Sequence, residues 1–185
     1  NYLLTLASPG SDLTVTDNIT FDDSSEQIIT GLADLTLQGG LTIVDGLLSS
    51  TGGTVSLEKG GGLSGGSFDV TDSTLKLGDN FTKTAGTLTT TDDGTILELS
   101  DNLSVTSDTD ISVKELELSN NTLTLGSDTT DLTVTDPITL NSGSEQIYSQ
   151  SADLTLNGIL SLDDGILDSS SGTISLIGGM TQRDG

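Results

Sequence analysis

The chain has 185 residues, 28 of them acidic and 5 basic, with no histidine, cysteine or tryptophan and a formal charge of −23. Without histidine or cysteine it cannot hold a Ser-His-Asp triad, a cysteine nucleophile or a zinc site of the usual nitrogen and sulfur type. The five basic residues, Lys59, Lys76, Lys83, Lys114 and Arg183, are scattered, so the field repels nucleic acid and no such partner is expected.

In chain order the elements read as short strands. A turn dipeptide followed by an apolar-hydroxyl-X triplet recurs: Asp17-Asn18 precedes Ile19-Thr20-Phe21, Gly39-Gly40 precedes Leu41-Thr42-Ile43, and Gly61-Gly62 precedes Leu63-Ser64-Gly65. Asp79-Asn80 then precedes Phe81-Thr82-Lys83, and Asp101-Asn102 precedes Leu103-Ser104-Val105. Leu123-Thr124-Leu125, Ile138-Thr139-Leu140, Leu160-Ser161-Leu162 and Met180-Thr181-Gln182 continue the series. A second strand closes each unit with period two: Leu35/Leu37, Val55/Leu57, Leu75/Leu77, Leu97/Leu99, Leu116/Leu118, Leu132/Val134, Leu154/Leu156 and Ile174/Leu176. Alternation of aliphatic with hydroxyl or charged residues is a strand signal, and no segment shows an amphipathic-helix period. The chain reads as all-β. No apolar run approaches the roughly 18 residues of a membrane span, and the first residues lack the basic and apolar regions of a secretory signal.

A longer repeat contains these units. Asp12 to Asp17 returns as Asp131 to Asp136, 119 residues on, and Ser25 to Ile28, Ala33 to Leu37 and Gly53 to Leu57 return at the same offset. About half the aligned positions from residue 11 onward are identical, without a gap. The first long repeat is 1–119 and a partial second copy is 120–185, the whole of 1–185 forming one solenoid. From Ile19 to Ile138 the triplets step by 22, 22, 18, 22, 20 and 15 residues, which reads as six coils to the long repeat.

Units of about 20 residues cannot bury an apolar face alone, so they stack, each coil on the next at about 4.8 Å, in parallel sheets with aliphatic rows inside. An antiparallel sandwich is the competing fold, but it does not require a coil-length repeat. Strand alternation turns Leu37 and Leu156 inward and Thr36 and Thr155 outward. Gly, Asn and Asp at the corners suit left-handed backbone. Asn18, Asn80 and Asn102 are candidates for an amide ladder, and Asp22 to Glu26 and Ser142 to Glu145 for surface loops.

The Leu-Thr-Leu cadence of Leu35 to Gly39 and Leu154 to Gly158, with richness in Thr, Ser, Gly and Asp, resembles the right-handed parallel β-helix repeats of bacterial secreted surface proteins, such as autotransporter passengers and haemagglutinin-like adhesins. The resemblance spans nearly the whole chain. It implies a right-handed parallel β-helix, export, and an extracellular or cell-surface location.

No catalytic constellation emerges. The acidic pairs Asp22-Asp23, Asp92-Asp93 and Asp163-Asp164 invite comparison with β-helical pectin-cleaving enzymes, but Arg183 is the only arginine and the aromatics Tyr2, Phe21, Phe68, Phe81 and Tyr148 are far apart in sequence. These acids read as turn residues. Calcium is the one ion they suggest, although no run matches an EF-hand loop or a glycine-aspartate nonapeptide, and no cofactor or metal ligand is assigned. Thr5, Thr20, Thr42, Ser64, Thr82, Ser104, Thr124, Thr139, Ser161 and Thr181 form an outward hydroxyl row if every first strand stacks in register, an arrangement that resembles ice-binding solenoids. Asn18, Asn80, Asn102 and Asn120 head N-glycosylation sequons that coincide with corners.

The expected function is non-catalytic: a structural or adhesive rod, stalk, filament or envelope layer. A polysaccharide-acting enzyme and an ice- or ligand-binding threonine array are the alternatives. Asn1 aligns with Asn120, and Met180 to Gly185 matches Leu41 to Gly46, so the chain reads as an excerpt of a longer array. The expected partners are copies of itself stacked end to end, further repeats, and cell-surface or polysaccharide ligands.

Overall fold

The computed structural model describes residues 2–79, 81–91, 93–105, 110–126 and 130–183. Asn1, Asn80, Asp92, Asp184 and Gly185, on which parts of the corner, acid-pair and end-to-end expectations fall, lie outside the described residues. Among the described residues the regular elements are strands, and there is no helix long and apolar enough to cross a membrane.

A short alternating strand buries one side, and three of them joined by tight corners make a coil whose aliphatic side chains meet in the middle. The first coil is β1 (Tyr2–Thr5), β2 (Leu13–Val15) and β3 (Ile19–Phe21); the second is β4 (Glu26–Ile29), β5 (Leu35–Leu37) and β6 (Leu41–Ile43). β7 (Leu47–Ser50) and β8 (Thr54–Leu57) lead into β9 (Gly61–Val70), then β10 (Thr74–Leu77) into β11 (Phe81–Thr90). Next come β12 (Ile96–Leu99), β13 (Leu103–Val105), β14 (Ile111–Val113), β15 (Glu115–Glu117), β16 (Thr122–Leu125), β17 (Leu132–Val134) and β18 (Ile138–Leu140). β19 (Gln146–Tyr148), β20 (Leu154–Leu156), β21 (Leu160–Leu162), β22 (Ile166–Asp168), β23 (Ile174–Leu176) and β24 (Met180–Gln182) complete a β-solenoid of about nine turns.

Pairing between coils is parallel and defines three faces. The first carries β3, β6 and the starts of β9 and β11; the second carries β1, β4, β7 and the ends of β9 and β11; the third carries β2, β5, β8, β10, β12 and β15. β9 and β11 each turn a corner and serve two faces, so the Gly61-Gly62 pair expected at a corner lies within a strand.

Above this, β13, β16, β19 and β22 continue the first face, and β14, β17, β20 and β23 the second. The join to β11 on the second face is made by Ser112, whose N–H donates to Thr90 Oγ1 at 3.1 Å. On the third face β18, β21 and β24 follow β15, with the Asp136 N–H donating to the Lys114 carbonyl at 2.7 Å.

This order corrects the coil count. β2 lies on the third face, but its counterpart β17, 119 residues later, lies on the second. Among the described residues the fifteen strands of the long repeat provide seventeen segments, because β9 and β11 count twice, and at three segments per coil that is five turns and two-thirds. The 15-residue step from Leu123 to Ile138 crosses from β16 to β18, two faces instead of three.

The interior follows the expected register. Leu37 and Leu156 are buried, while Thr36 and Thr155 face outward, half-buried. Val15, Leu37, Leu57, Leu77 and Leu99 form one continuous row, each fully buried leucine being worth about 2 kcal/mol of transfer free energy. Lys83 is a charged side chain at an inward position, in register with Leu63 and 8% exposed.

Corners are tied by side chains reaching one coil up. Asp12 Oδ1 accepts the Asp34 N–H at 3.0 Å and Asp34 Oδ1 the Thr54 N–H at 2.7 Å. The second copy repeats this, Asp131 accepting from Asp153 at 3.1 Å and Asp153 from Thr173 at 2.7 Å. Asn18 and Asn102 act likewise, their Oδ1 atoms accepting the Gly40 and Thr122 N–H groups at 2.8 Å. The expected amide ladder is thus replaced at both residues by bonds to backbone: Gly40, stacked on Asn18, has no side-chain amide to offer. Close stacking also explains Gly39, where a Cβ would stand 2.3 Å from the Asp17 carbonyl carbon.

Candidate functional site

The outward rows carry whatever chemistry the rod displays, since successive coils bring equivalent side chains within about 4.8 Å. On the third face Lys76, Glu98 and Glu117 stand in consecutive register. The Lys76 ammonium donates to Glu98 Oε1 in an ion pair. Partial burial, with repulsion from Glu115 and Glu98, pushes the Glu117 carboxyl above its ordinary value, against the opposing pull of Lys76. This charged column separates two hydroxyl rows on the same face, Thr14-Thr36-Ser56 and Thr139-Ser161-Thr181.

The ten-residue hydroxyl row expected from the triplets is divided. Thr20 and Thr42 are followed by Gly62 and then Thr82 on the first face, while Ser64 pairs with Ala85 past the corner. Ser104 and Thr124 continue the first face, where the next residue is Tyr148. Thr5 is on the second face beside Ile29, and Thr139, Ser161 and Thr181 are on the third. The triplets match in sequence but occupy three faces, because β9 begins two residues early and the 15-residue step drops one face.

The acids close turns. Glu26 Oε2 accepts the N–H groups of Asp22 and Asp23 at 2.8 and 3.3 Å, and in the second copy Glu145 Oε2 accepts that of Asn141 at 2.8 Å. Both expected loops are therefore clasped by a glutamate that sequence reasoning gave no role, although it stands at the same place in each copy. Asp23 Oδ1 accepts the Ser25 hydroxyl at 2.6 Å and its N–H at 2.8 Å, bonds that hold the Asp23 carboxyl below its usual range. The Asp163 and Asp164 N–H groups donate to the Leu140 carbonyl at 2.9 and 3.2 Å. On the second face Asp69 stands between Ser49 and Thr89, and burial pushes its carboxyl up. Among the described residues no three carboxylates converge closely enough to hold a metal ion.

A different cluster forms on the first face of the upper coils. Thr124, Tyr148 and Asp168 stand in consecutive register and, with Gln150 and Ser170, line a groove of about 310 Å3. The Tyr148 hydroxyl donates to Gln146 Oε1 at 3.0 Å. In sequence Tyr148 is a solitary aromatic; coil stacking supplies its polar neighbours from about 20 residues away on either side.

No protein-family model, curated protein or solved structure matches the chain.

Proposed function

We propose that the chain is a non-catalytic structural or adhesive rod of the extracellular space or cell surface, of the autotransporter-passenger or haemagglutinin-like adhesin kind. The observation that carries this reading is where the two copies agree. Leu35, Leu37, Gly39, Asp12 and Asp34 recur as Leu154, Leu156, Gly158, Asp131 and Asp153, and these are the residues that join coil to coil. Among outward positions Thr14, Thr20, Thr36 and Ser56 recur as Thr133, Thr139, Thr155 and Ser175, while Ile29, Val44 and Ser49 are answered by Tyr148, Asp163 and Asp168.

The outermost described coils support association with further coils of this design or with a second copy. Leu3 and Leu4 at one side and Ile177 and Met180 at the other are exposed apolar side chains, suited to cover by another coil. The test is to anchor the chain on a bacterial surface and assay proteinase K resistance, adhesion, and release of reducing sugar from pectin and other polysaccharides. A resistant, adhesive, hydrolytically silent rod is the expected result. Sugar release abolished by substituting surface acids would favour the enzyme, and growth arrest of ice crystals would favour the threonine array.

A further inference from the structure

We infer that the Tyr148 groove is a binding subsite for a neutral sugar residue of a glycan. The inference does not depend on the rod reading, since a scaffold and an enzyme can both carry such a subsite.

The decisive position is Gln150. Its counterpart in the first copy is Gly31, and both adopt φ 46. Glycine reaches this left-handed region without steric cost, whereas a side chain there is disfavoured. The second copy therefore keeps a glutamine where its own fold favours glycine. The corner is held by its neighbours: the Gln150 carbonyl accepts the N–H groups of Ser170, Ser171 and Gly172 at 3.1, 2.8 and 2.9 Å. Strain that persists because its surroundings enforce it points to a use for the side chain.

Gln150 lines the groove with two other departures from the first copy, Tyr148 for Ile29 and Asp168 for Ser49. All three substitutions introduce groups that recognise sugars. The Tyr148 hydroxyl bonds to Gln146, two residues back on the same strand, and Tyr148 lines the groove. Its ring offers an apolar platform for pyranose C–H groups. Asp168 accepts hydrogen bonds from hydroxyl pairs, and the Gln150 amide, Thr124 and Ser170 both donate and accept. With Asp168 in the groove and a chain charge of −23, an acidic sugar is repelled, which selects neutral residues.

Tyr2 and Tyr148 are the only tyrosines and there is no tryptophan, so in a Tyr2→Phe background the fluorescence reports Tyr148 alone. The probes are chitotetraose, cellotetraose and mannotetraose, with tetragalacturonate as the acidic comparison. At least one neutral probe should saturate the signal in the millimolar range or tighter. By calorimetry Tyr148→Ala should abolish that binding, and Asp168→Asn should weaken it about tenfold. Gln150→Gly separates recognition from folding: it should raise the melting temperature while weakening binding, a pairing that a purely structural role would not produce. Absence of binding by every neutral probe through the millimolar range, tighter binding of tetragalacturonate, or unchanged affinity in both Tyr148→Ala and Gln150→Gly would overturn the inference.

Discussion

Lys76 on β10 and Glu98 on β12 form an ion pair between consecutive coils, and Glu117 stands next in register as a second carboxylate for the same cation. One lysine thus serves two stacked glutamates, with Glu115 adding to the repulsion on Glu117.

The sign of the resulting pH dependence follows. The Glu117 carboxyl is raised above its ordinary 4.5, so its contribution to stability is present at low pH and is lost as pH rises through the folded value. Asp69, raised above 3.8 by burial, acts in the same direction. Asp23 acts oppositely: its lowered pKa gives stability above the ordinary value that is lost as pH falls through the folded one. Thermal melting should therefore improve as pH is lowered from neutrality through the folded Glu117 value toward 4.5. Glu117→Gln should raise stability at pH 7 by up to about 0.5 kcal/mol after solvent screening, and should flatten the profile. A profile unchanged by the substitution would remove Glu117 from the account.

The leucine rows should be the least tolerant of charge. Leu156 is 2% exposed and lies between Val134 and Leu176. Leu156→Asp places an unpaired carboxylate there and should cost several kcal/mol in urea unfolding. Thr155→Asp, on the outward side of the same strand, should cost much less.

Asp34 tests the corner ladder. Its carboxylate accepts the Thr54 N–H while its own N–H donates to Asp12. Asp34→Ala should lose about 1 kcal/mol, measured by denaturant titration, and Asp34→Asn should recover most of it because an amide oxygen can accept the same bond.

Gly39→Ala should be more damaging than its added methyl suggests. The new Cβ would stand 2.3 Å from the Asp17 carbonyl carbon, a backbone atom that cannot swing away. A cost of about 2 kcal/mol or more is expected, whereas Gly10→Ala, in open space, should cost less despite its φ of 86. Circular dichroism melts of the pair make the comparison.

Strand rows such as Leu35/Leu37 and Leu154/Leu156 were legible in the sequence because alternation is a property of one strand. The strand Glu26–Ile29 was not, since Ile28 faces inward and its neighbour Ile29 is half-buried on the outside, so no clean alternation marks it. Residue spacing also cannot count faces: the step from Leu123 to Ile138 resembles a short coil, yet it omits one side of the solenoid. Tyr148 looked solitary for the same reason, because register brings Thr124 and Asp168 beside it. The glycine-to-glutamine change at Gln150 is visible at the 119-residue offset, but its meaning depends on a backbone angle.

The two-thirds turn left over by each long repeat works like a screw thread. In an array of such units, a feature displayed by one would point one-third of a revolution away in the next and regain its bearing after three, over 357 residues and seventeen turns. At about 4.8 Å per turn the pitch is about 80 Å. A patch repeated in phase would give the rod a single working side. Threaded around the axis, it meets contacts from every direction, while any flat surface touches one unit in three.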